Sequence, residues 1–106
     1  MGQRNRVLIV GAGPAGLALA IALRRQGCTP QLVWRANGWP LSGAGLYLVG
    51  NATRALHALG VADAALRAGQ VIRAQTFCDH RGVTLARVDV GAFWGGCGPC
   101  LGLRRA

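Results

Sequence analysis

Apolar positions enter this chain as a block. "RVLIV", Arg6 to Val10, has no polar alternation, which is the pattern of a short strand buried on both faces. The turn "GAGPAG" (Gly11 to Gly16) interrupts the run. "LALAIALRRQG" then resumes it with alanine and leucine, the composition of a helix that Gly27 would close as a C-cap. "PQLVWR" reads as a second strand, with Pro30 confined to its first position or to an edge.

Asn37 to Gly45 is loop by composition, and "LYLV" after it is apolar enough for a short strand. Asn51 is expected to cap a helix through "ATRALHAL", ended by Gly60, and "VADAALRAG" continues as a shorter helix ended by Gly69. Val71–Asp79 and Val83–Val90 read as two strands joined by "DHRG", a hairpin turn with glycine where a positive φ is needed. From Gly91 the chain becomes glycine-rich. No repeat and no linker divides it. The pattern predicts an α/β protein: a Rossmann-like β-α-β unit, a helical segment and a β-hairpin.

Composition narrows the class. A chain of 106 residues supports one small domain of modest stability. With 52% hydrophobic and 14% charged residues it is a folding chain. All twelve basic residues are arginines, against three acids (Asp63, Asp79, Asp89), for a net charge of +9. Such a charge invites nucleic acid, but the arginines stand singly or in pairs with few interleaved aromatics, so no nucleic-acid partner is expected. The apolar run Val7–Leu23 spans seventeen residues, the short limit for a bilayer, and its first half carries three glycines and a proline. No membrane insertion is expected, and without a cleavage site the chain reads as cytoplasmic. The four cysteines (Cys28, Cys78, Cys97, Cys100) are then free thiols.

Gly11, Gly13 and Gly16 satisfy G-x-G-x-x-G between a strand and a helix, the context that gives this spacing meaning. Gly11 permits the tight turn, Gly13 admits a diphosphate to the backbone, and Gly16 with Ala20 lets the helix lie close to the sheet. Pro14 suits the first helical position, whose N–H has no partner anyway. The N–H groups of the first turn, Ala15 among them, would face the phosphates with the helix dipole behind them.

An acid should follow about twenty residues on, accepting bonds from the ribose hydroxyls. Trp34 stands there. Indole only donates, so it cannot replace a carboxylate. Arg35 beside it raises the option of a phosphorylated ribose, adenine stacking on Trp34 is a second, and a plain packing role is a third.

"CGPC", Cys97 to Cys100, reproduces a dithiol redox tetrad, but "LGLRRA" after it has no helical pattern to lower a thiol pKa. Cys78, His80, Cys97 and Cys100 have an uncommon spacing for zinc, so no metal is expected. His57 lies in an alanine-leucine helix as a surface or boundary residue. No serine-histidine-aspartate set or carboxylate pair is apparent.

"VLIVGAGPAGLALAIALRRQG", "GAGLYLVGNATRALHALGVADAALRAG" and "LGLRRA", in that order, resemble the amino-terminal part of FAD-dependent aromatic-ring monooxygenases of the para-hydroxybenzoate and salicylate hydroxylase kind. The resemblance runs over about residues 5–106. It implies that Gly11, Gly13 and Gly16 bind the FAD diphosphate, that Trp34 replaces the ribose-binding glutamate, and that Arg35 matches the arginine after it. Gly43 and Gly45 match the loop leading to the flavin, Asn51 and Arg54 the "NA-x-R" helix start, and Arg105 a flavin-contacting arginine; Arg104 replaces a histidine. In such enzymes NAD(P)H reduces the flavin, which then activates dioxygen to hydroxylate a small aromatic substrate. The family's second flavin motif and substrate sheet have no counterpart in these residues. The resemblance therefore implies part of a single FAD-binding domain, inactive by itself, with a non-catalytic or decayed nucleotide-binding module and a CxxC thiol protein as alternatives. Substrate, oligomeric state and the choice of NADH or NADPH stay open.

Overall fold

The computed structural model describes residues 6–38 and 43–104. The chain divides into two compact units, Met1–Trp39 and Pro40–Ala106.

In the first unit β1 (Leu8–Val10) leads through the glycine turn into α1 (Pro14–Arg25) and back to β2 (Gln31–Val33). The strands pair in parallel, Leu8 with Gln31 and Val10 with Val33, as a β-α-β crossover requires. Pro30 stands one residue before β2, where its missing N–H costs the ladder nothing. α1 closes through the two bonds of a Schellman motif: Gly27 N–H to Arg24 C=O and Cys28 N–H to Leu23 C=O, both 3.0 Å, with Gly27 at φ +81°. Arg24 and Arg25 place positive charge at its carboxyl end.

Burial in β1 departs from the expected two-sided strand. Ile9 is 6% exposed, but Val10 is 80% and Leu8 57% exposed. A two-stranded sheet gives β1 one hydrogen-bonded neighbour, and successive side chains point to opposite faces, so only Ile9 is enclosed.

The second unit contains β3 (Leu46–Leu48), α2 (Gly50–Leu59), α3 (Ala62–Ala68), β4 (Gln70–Ile72), β5 (Ala74–Cys78), β6 (Thr84–Asp89), α4 (Val90–Trp94) and β7 (Cys100–Leu103). β7 lies between β3 and β4, antiparallel to both, with Leu101 opposite Leu48 on one side and Val71 on the other. That central place buries Cys100 and Leu101 to 1% exposure, and they form the heart of the core. α2 ends as α1 does, with Gly60 at φ +78° and Val61 N–H on Leu56 C=O. β5 and β6 form the expected hairpin. Its turn is tied by Asp79, whose carboxylate accepts from the N–H groups of Arg81 (2.8 Å) and Val83 (2.9 Å), with Gly82 at φ +84°.

Three expectations are corrected here. Asn51 does not cap α2: the helix begins at Gly50 behind Val49, and no side chain caps it. Val71–Asp79 is two strands, because β4 pairs with β7 while β5 pairs with β6, and Arg73 is the break between them. Val90 opens a helix and does not end a strand: the Asp89 carboxylate accepts from Ala92 N–H at 2.8 Å and starts α4. The glycine-rich segment after Gly91 therefore holds both α4 and the central strand β7.

Candidate functional site

The glycine turn is built by three different demands on three glycines. Gly11 leaves β1 at φ +111°, a conformation that side-chain-bearing residues rarely adopt, and its N–H donates to Val33 C=O at 2.8 Å. That bond fastens the turn to the end of β2. Gly16 sits beneath it: a Cβ there would overlap the carbonyl oxygen of Gly11 and lie 3.4 Å from Ile9 Cγ2. Gly13 is the N-cap of α1 in ordinary extended backbone, and a Cβ on it would meet no atom within 4 Å. Space before Gly13 is open, which is the condition for a ligand to approach the backbone.

Pro14 is the first residue of α1, and Ala15 follows, exposed. The first helical bond is Leu17 N–H to Gly13 C=O at 3.0 Å, so the N–H groups of Ala15 and Gly16 precede it and are not consumed by the helix. No acidic side chain occupies the first turn. The residues fit a diphosphate: two uncommitted donors, an open approach and the positive end of a twelve-residue helix.

Trp34 and Arg35 directly follow β2, one residue beyond the bond that holds the turn. Trp34 is half-buried, and its indole N–H donates to Gly38 C=O at 3.3 Å. Arg35 is exposed. The fold thus brings Gly11, Gly13, Pro14, Ala15, Gly16, Trp34 and Arg35 into one unit. Gly45, Asn51 and Arg54 belong to the other. Gly45 precedes β3, and a Cβ there would come 2.6 Å from Leu103 C=O, so its glycine serves the close approach of β7. Gly43 is exposed, and Arg105 lies outside the described residues.

Sequence reasoning missed Thr53. It is 5% exposed, and its hydroxyl stands 2.9 Å from Gly50 C=O and 2.8 Å from Pro99 C=O. A single proton serves one of them at a time. Thr53 thereby fastens α2 to the segment entering β7. A groove of about 500 Å³ opens beside it, lined in part by Arg54, His57, Asp63 and Cys97.

The CxxC reading does not survive this geometry. Cys97 lies in a turn, Cys100 begins β7, and no helix starts between them, where a dithiol tetrad of this kind would need one. All four cysteines are free. Among the described residues no three histidine, cysteine or acidic side chains gather to hold a metal ion, and no helix is long and apolar enough to cross a membrane.

Comparison with known proteins agrees with the turn. Residues 4–96 match the FAD binding domain family. The aurachin C monooxygenase/isomerase of Stigmatella aurantiaca is 39% identical over 93 residues, 81% of this chain and 24% of that protein. A 3-amino-4-hydroxybenzoate 2-monooxygenase of Streptomyces platensis is 37% identical over 93 residues, 85% of this chain and 23% of that protein. Among solved structures, a tetrameric 2-methyl-3-hydroxypyridine-5-carboxylic acid oxygenase superposes with a TM-score of 0.82 at 27% identity, covering 98% of this chain and 26% of the other. The chain belongs to the FAD binding domain family, whose fold holds the flavin dinucleotide of aromatic-hydroxylating monooxygenases. It spans about a quarter of the length of the relatives it matches.

Proposed function

We propose that these residues form the amino-terminal part of one FAD-binding domain in an NAD(P)H-dependent monooxygenase that hydroxylates a small aromatic molecule. The observation that carries this reading is the turn Gly11–Gly16, with its open approach at Gly13 and its unused N–H groups. Ala15 and Gly16 would hold the diphosphate of FAD, Gly11 and Gly16 would keep the backbone close enough to do so, and Trp34 and Arg35 would meet the adenosine end. Gly45 and Arg105 are assigned to the flavin side by their match to the family's motifs. When bound, the flavin supplies electron transfer from NAD(P)H and activation of dioxygen; the protein supplies position and electrostatics. By themselves these residues should not turn over, since they span only about a quarter of the length of the monooxygenases they match. The four free thiols fit a reducing, cytoplasmic setting.

Titration of the chain with FAD, followed by calorimetry, tests the reading. Binding of FAD, with competition by ADP, is the expected result because the turn addresses the shared diphosphate. A chain that takes up neither overturns it. A non-catalytic nucleotide-binding module is the second reading, favoured by Trp34 in place of the acid. In the longer protein it predicts nucleotide binding without flavin-dependent oxidation of NAD(P)H.

A further inference from the structure

The first unit contains no carboxylate at all: residues 6–38 carry Arg6, Arg24, Arg25 and Arg35 but neither aspartate nor glutamate. The first unit therefore supplies no charged acceptor for ribose hydroxyls at the end of β2. Trp34, which holds that place, has a single polar atom, and the fold spends it on Gly38 C=O. What the half-buried side chain has left to offer is the face of its ring. Resting on the nucleotide reading of the glycine turn, we infer that Trp34 makes the adenosine end of this site recognise the base and not the sugar. The indole stacks on adenine, the ribose hydroxyls go without a charged partner, and ribo- and 2′-deoxyribonucleotides bind alike.

The two contributions are separable by magnitude. Stacking of a base on an aromatic side chain contributes enough that removing the ring costs about fivefold or more in affinity. A carboxylate at this place would favour the ribonucleotide by about tenfold or more.

Calorimetric titration of the chain with ADP and with 2′-deoxy-ADP decides the matter. The native chain should bind both with the same affinity. Trp34→Ala should weaken both equally, and Trp34→Phe, which keeps a ring and loses the bond to Gly38, should retain most of the affinity. Trp34→Glu should bring in the preference for ADP. A native preference for ADP of about tenfold, or a Trp34→Ala chain with unchanged affinity, overturns the inference while leaving the glycine turn as the nucleotide site. Failure of the native chain to bind either nucleotide overturns the reading of the turn itself, and this inference with it.

Discussion

A side-chain carbon on Gly16 would overlap the carbonyl oxygen of Gly11. The first turn of α1 can approach the end of β1 only because Gly16 carries no side chain, whereas a Cβ on Gly11 would meet no atom within 4 Å and glycine is demanded there by the φ of +111°. A substituent on Gly13, by contrast, would point into open space. Both glycines belong to one motif, yet the structure gives a packing task to Gly16 alone.

Gly16→Ala should therefore destabilise the first unit, by about 1–3 kcal/mol as for other overpacked sites, and lower nucleotide affinity with it. Gly13→Ala should leave stability within about 1 kcal/mol of the native chain, since the backbone there is extended and accessible to alanine. Its effect should fall on affinity alone, because the added methyl stands where a diphosphate would approach. Chemical denaturation and FAD titration of the two variants separate these outcomes. Equal loss of stability in both would show that Gly13 serves the fold.

The division between legible and illegible features follows how local each signal is. Gly27, Gly60 and Gly82 were readable because a left-handed residue at a helix end or hairpin turn is demanded by the neighbouring backbone alone. The glycine turn was readable for the same reason, with its flanking strand and helix. The split of the 71–79 run at Arg73 was not, since β4 and β5 differ only in their partners, β7 and β6. Asn51 looked like a cap by residue type, but Gly50 is the residue the packing requires: a Cβ there would come 2.7 Å from Gly98 C=O and 2.8 Å from Trp94 Cβ. Trp34 was legible as a lost acceptor. That its one donor is committed to Gly38 depends on the loop's path, which composition does not reveal.

Thr53 offers a test of the second unit. Its buried hydroxyl lies within bonding distance of two carbonyl oxygens, one of them 46 residues away on Pro99. Thr53→Val conserves shape and removes the donor, leaving Pro99 C=O without it. The expected cost is about 0.5–1.5 kcal/mol, the net contribution of an ordinary hydrogen bond, because Pro99 is exposed and the bond is only part-buried. Thr53→Ser keeps the hydroxyl and should recover most of that loss. Urea denaturation of both variants checks the pair, and equal stability of native and Thr53→Val chains would remove Thr53 from the account of how β7 is held.

Tyr47 makes the core of the three-stranded sheet visible to titration. It is the sole tyrosine of the chain, in β3 opposite Gly102 of β7. Desolvation, and then the hydrogen bond and charge interaction with Cys100, raise its pKa above the ordinary value of 10.0. The side chain is half exposed, so the desolvation is partial and the effect on stability small. A raised pKa means that the fold favours the neutral phenol. Its stabilisation is complete below the unfolded value near 10.0 and is lost as pH rises through the folded value, so the consequence is confined to alkaline solution. Ultraviolet titration of tyrosinate should give a midpoint above 10.0 in the native chain. Cys100→Ala should lower that midpoint without bringing it fully back, because desolvation persists when the thiol is gone. A native midpoint at or below 10.0 would mean that the Tyr47 hydroxyl does not bond Cys100 and that the β3–β7 pairing leaves it in free water.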